Sequence, residues 1–67
     1  MLFYIEAKIV IRVQGISGPF EEVIVWLVNA PTLPVAKAKF EAQVRRDKAR
    51  MEAQSFTFEY LKTAGTI

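Results

Sequence analysis

Apolar and polar residues alternate from Leu2 to Val13. Phe3, Ile5, Ala7, Ile9, Ile11 and Val13 share one side; Leu2, Tyr4, Glu6, Lys8, Val10 and Arg12 share the other. A period of two marks a half-buried strand, because successive side chains leave a strand on opposite faces. The odd set is the expected core. The even set is mixed: Glu6, Lys8 and Arg12 suit water, whereas Tyr4 and Val10 gain from cover. Gln14-Gly15-Ile16-Ser17-Gly18-Pro19 then reads as a hairpin loop, since glycine and proline supply the backbone angles a tight reversal needs.

A second strand is predicted over residues 20–29. Its middle, Val23-Ile24-Val25-Trp26-Leu27-Val28, is six apolar residues without a polar interruption. β-Branched and aromatic side chains favour a strand, and Asn29-Ala30-Pro31 stops it. Phe20, Ile24, Trp26 and Val28 form one face; Val23, Val25 and Leu27 form the other. Both faces are apolar, so the pattern leaves open which of them meets the rest of the core.

The third element is a helix over residues 33–51. Thr32 is placed to cap it, and Pro34 fits its first turn, where a missing N–H is harmless. Leu33, Ala36, Phe40, Val44 and Met51 form the stripe expected to lie on the sheet. Asp47 falls inside that stripe. Either the helix end lifts away there, or Asp47 meets a basic partner at the rim. Ala38, Ala42 and Ala49 give the far side a smooth strip, explained by helix propensity or by a close-packed second helix.

Residues 53–62 complete the pattern as a third strand, with Phe56, Phe58 and Tyr60 inward and Ser55, Thr57 and Glu59 outward. Leu61 interrupts the polar set. Residues 63–67 read as a frayed tail, giving one domain over residues 1–62. The expected fold class is α+β, β-β-α-β, a three-stranded mainly antiparallel sheet with one helix on one face. Strand order 2-1-3 is favoured over direct pairing of the second and third strands.

Composition sharpens this picture. A chain of 67 residues buries only about 60% of the surface its unfolded form exposes. Scaffolds this small need reinforcement from disulfides, metals or oligomerisation. With no cysteine and no histidine, disulfides and ordinary zinc sites are excluded. One helix roofs one sheet face, which leaves the other uncovered. Tyr4, Val10, Val23, Val25 and Leu27 are the candidate oligomer interface. A second copy would cover this face, or the second strand would pair with its counterpart across a two-fold axis.

Charge adds one competing reading. The net charge is only +2, yet six of the nine basic residues lie between Lys37 and Arg50. Lys39, Arg45, Arg46 and Arg50 are therefore candidate nucleic-acid contacts on the helix, against the commoner explanation of a solvated face. The aromatics of the third strand alternate suitably for base stacking. A single helix and no glycine-aromatic signature favour core packing for them instead.

Catalysis has little to use. No histidine or cysteine exists for base or thiolate chemistry. Ser17 and Ser55 have no evident base, and Glu21-Glu22 would point to opposite faces. The glycine loop precedes a strand, whereas phosphate cradling needs a helix N-terminus. No cofactor is expected. The apolar share of 52% argues against disorder, no apolar run reaches membrane-span length, and the N-terminus has no basic leader. The resulting expectation is a soluble cytoplasmic binding protein that self-associates, an adaptor or inhibitor, with nucleic-acid binding as the alternative.

Overall fold

The alternation of residues 2–13 places this segment at the centre of the sheet. A computed structural model describes residues 1–66. It consists of β1 (Leu2–Val13), β2 (Phe20–Asn29), α1 (Leu33–Asp47), a 3-10 turn (Ala49–Met51) and β3 (Ala53–Thr66). The sheet has the order β2-β1-β3, and both pairings are antiparallel. The fold is α+β, with one helix on one face. A central β1 explains its strict burial rhythm: Phe3, Ile5, Ala7, Ile9 and Ile11 are all buried, and the residues between them are not.

Register settles the face that the β2 pattern left open. Ile5 stands opposite Trp26, Ala7 opposite Ile24 and Phe3 opposite Val28. The even residues of β2 therefore line the helix side and pack against the core. On β3, Phe56, Phe58 and Tyr60 stand opposite Ile11, Ile9 and Ala7. From above, α1 inserts Ala36, Phe40 and Val44, all fully buried. The Phe40 ring lies 5.4 Å from Trp26 and 6.2 Å from both Phe58 and Tyr60. Edge-to-face and tilted contacts of this kind stabilise beyond the area they bury.

Helix α1 begins where the sequence places it. The Thr32 hydroxyl accepts the Val35 N–H at 3.5 Å, and Pro34 occupies the first turn. It ends earlier than the expected Met51, at Asp47, and the chain tightens into the 3-10 turn. Local propensity would continue the helix through Lys48, Ala49 and Arg50. Tertiary demand overrides it, because Ala53 must reach the ladder opposite Val13. Glu52 makes the exit with a left-handed backbone, φ 50°. Asp47 consequently stands exposed at the helix end and accepts a hydrogen bond from Gln43 at 2.9 Å. Of the two resolutions of the Asp47 conflict, the helix end leaving the sheet is the one realised.

The expected tail at 63–67 is corrected by the ladder. Leu2, Phe3, Tyr4 and Ile5 pair with Thr66, Gly65, Ala64 and Thr63; Ile67 lies outside the described residues. The physical reason is an extra residue. Lys62 faces Glu6 and Tyr60 faces Ala7, so Leu61 is a bulge that resets the inward-outward phase. The apolar alternation breaks at Leu61 while the pairing continues.

Gly65 owes its place to this extension. A Cβ there would lie 3.0 Å from Phe3 Cε1 and 3.3 Å from Cδ1. Gly65→Ala must displace a buried ring and is expected to cost about 1–3 kcal/mol. A lowered urea midpoint, followed by the fluorescence of the single tryptophan, checks this.

Candidate interaction surface

Because the even residues of β2 face the helix, the odd ones face away from it, where the described residues provide no second layer. Val23, Val25 and Leu27 retain 54%, 47% and 63% of their exposure. Beside them, Tyr4 and Val10 are half-buried. Leu27 lies next to Tyr4, Val25 next to Glu6 and Val23 next to Lys8. The five candidate interface residues thus share the uncovered face, but they do not form a uniform patch.

Charge divides that face lengthwise. Lys8 lies 3.3 Å from Glu21 on one side and 3.5 Å from Glu59 on the other. Both acids hold the Lys8 ammonium above its ordinary value, chiefly through the Glu21 hydrogen bond. Lys62 sits over the Tyr4 ring at 5.8 Å, and the Tyr4 hydroxyl donates to Glu6 at 2.9 Å. Toward β3 the surface is polar. Toward β2 it is an apolar margin of Val23, Val25 and Leu27.

That margin adjoins an open backbone edge. The Ala30 N–H donates to the Met1 carbonyl at 2.9 Å, one step beyond the Leu2–Asn29 pair that ends the β1–β2 register. Antiparallel ladders alternate bonded and non-bonded pairs. Counting back by twos, the even residues of β2 turn N–H and C=O toward β1. Glu21, Val23, Val25, Leu27 and Asn29 turn theirs outward. The Asn29 carbonyl agrees with this phase, since it accepts the Lys39 ammonium at 3.0 Å from beyond the edge.

The two sheet edges differ. β3 has a second extra residue at Gln54, between the partners of Val13 and Arg12, in addition to Leu61. Bulges twist an edge away from foreign strands. The register of β2 against β1 runs without a shift from Asn29 to Phe20.

The candidate nucleic-acid residues are not gathered on one stripe. Arg45 leans over Phe58 of β3 at 5.0 Å and pairs with Glu41 at 3.6 Å. Lys39 reaches the opposite flank, at β2. Arg46 donates to Gln43 at 3.2 Å. Arg50 belongs to the 3-10 turn, off the helix axis, because α1 ends before it. Lys48, the neighbouring basic residue, is bonded to Glu22. Sequence spacing treated residues 37–50 as one rod and could not foresee this dispersal.

The β3 flank of α1 holds a polar cluster that the sequence reading missed. Tyr60 donates a hydrogen bond to Glu41, and Lys37 sits 4.6 Å over the Tyr60 ring. Burial foremost, then the bond to Glu41, pushes the Tyr60 phenol above its usual value of 10.0. The folded state therefore holds this proton more tightly than the unfolded chain. Its contribution is complete below pH 10 and is lost as pH rises past that value. Tyr60→Phe is expected to flatten the alkaline fall in stability while costing about 1 kcal/mol at neutral pH. Urea titrations across an alkaline pH series check both effects.

Among the described residues no pocket is enclosed and no cluster of His, Cys, Asp or Glu is arranged to hold a metal. No helix is long and apolar enough to cross a membrane. No family model, no curated protein and no solved structure matches the chain.

Proposed function

We propose that this chain is a small self-associating binding protein that acts by protein contact rather than by catalysis, in the role of an adaptor or inhibitor. The observation that carries the reading is the apolar margin of Val23, Val25 and Leu27, exposed beside an edge that meets no further strand among the described residues. Soluble proteins blunt such edges with charge, proline or bulges, and this one has none between Val23 and Val28. The small size of the core points the same way, since association adds apolar burial to a core that is small for a single chain.

Nucleic-acid binding through α1 has less to rest on. Arg45 and Lys48 are committed to Glu41 and Glu22, and Lys39 to a backbone carbonyl. Sedimentation equilibrium at micromolar concentration tests the main reading: a species of at least twice the 7.6 kDa chain mass is expected. A single 7.6 kDa species at every concentration would refute it. A gel-retardation salt series tests the competitor, for which the expected result is no shift even at low salt.

A further inference from the structure

We infer that the self-association runs through the β2 edge, with a second copy paired antiparallel about a two-fold axis at Val25. This inference rests on the self-association proposed above and specifies its geometry. The backbone phase limits the choice. Only the odd residues of β2 offer N–H and C=O groups to the open edge, so odd residues must face odd residues. That leaves few registers. An axis at Ile24 sets Leu27 against Glu21, and an axis at Trp26 sets Val23 against Asn29. With the axis at Val25, Val25 meets its own counterpart and Val23 meets Leu27 twice. This register alone places all three exposed apolar side chains of each copy against apolar neighbours.

This register also suits the Asn29 carbonyl. It sets Glu21 opposite Asn29 of the second copy, beside the Lys39 ammonium that rests on the Asn29 carbonyl. A carbonyl has two lone pairs, so Asn29 can accept the incoming Glu21 N–H and keep Lys39. Stacking the two outer faces would instead bury the Glu21–Lys8–Glu59 bridge, a desolvation that an edge junction avoids. The product is a continuous six-stranded sheet. Both helices lie on one side of it, about 14 Å apart by three strand spacings. That exceeds the 8–10 Å of packed helices, so the alanine strip on α1 is not the contact.

Amide exchange on the unmodified protein tests the pairing. In the dimer the Val23, Val25 and Leu27 amides should exchange at least 100-fold more slowly than in dilute monomer, while even-numbered β2 amides are protected throughout. Cysteine cross-linking tests the register, with no native thiol to interfere. Opposed α-carbons in a bonded pair are ~5.5 Å apart, within disulfide reach. Val25→Cys should therefore form a homodimer on oxidation. Val23→Cys and Leu27→Cys should cross-link only when mixed, because like positions lie ~14 Å apart. A chain that never dimerises removes the self-association and this inference together. A dimer whose three edge amides exchange freely leaves self-association standing and overturns edge pairing. Protected amides with efficient cross-linking at Val23 alone overturn the Val25 register.

Discussion

Phe40→Ala is expected to leave the chain unfolded. Truncating a buried phenylalanine costs about 3–5 kcal/mol. A domain of this size, at roughly 0.05–0.15 kcal/mol per residue, has about 3–10 kcal/mol in total, so the loss takes much or all of it. The position also concentrates the loss. Phe40 is fully buried and touches rings from both outer strands: Trp26 on β2, and Phe58 and Tyr60 on β3. Its removal opens a cavity between the helix and all three strands, and a single helix offers no neighbour to collapse into it. The expected observation is loss of the cooperative thermal transition, with Trp26 emission shifted to that of solvent-exposed indole. Phe40→Leu fills much of the volume and should stay folded with a lower midpoint. Cooperative unfolding of Phe40→Ala near the parent temperature would show that the core does not centre on this ring.

The residues that made this core legible are those whose period matches one element. The odd positions of β1 alternate without a break, and Ala36, Phe40 and Val44 recur at helical spacing. A central strand and a roofing helix impose those rhythms directly. Legibility failed where one side-chain pattern serves two environments. The apolar run in β2 reads the same from either face, and only its register with β1 assigns Trp26 to the helix side. It failed again at Leu61 and Asp47. A bulge keeps the ladder but breaks the alternation, so pairing out to Thr66 looked like a tail. The helix end is set by the distance β3 must cover, which leaves no mark on the propensities of Lys48, Ala49 and Arg50. The candidate interface residues could be named from the shortage of cover, but their division into a polar half and an apolar margin depends on cross-strand neighbours. The backbone phase of the β2 edge is not written in any side chain.

That phase makes adjacent prolines behave oppositely. Val25→Pro removes an N–H that points away from β1, so the intramolecular ladder stays intact; proline is tolerated on edge strands in this orientation. Ile24→Pro removes an N–H directed at β1, opposite Ala7, and should cost about 3 kcal/mol or more, enough to unfold a domain this small. The effect of Val25→Pro falls on association. Two-fold symmetry brings the substitution into both copies at the axis, so two central hydrogen bonds are lost and the two rings collide. The dimer dissociation constant is expected to rise at least about 100-fold, ~2.8 kcal/mol. Sedimentation should then give a 7.6 kDa species, with far-ultraviolet circular dichroism like that of the parent. Val25→Lys, which puts two ammonium groups together at the axis, should weaken association without constraining the backbone. A folded dimer from both Val25 variants would place the contact elsewhere on the sheet. Collapse of Val25→Pro alongside a folded monomeric Val25→Lys would mean that the Val25 N–H serves the chain's own ladder, reversing the phase on which the edge assignment stands.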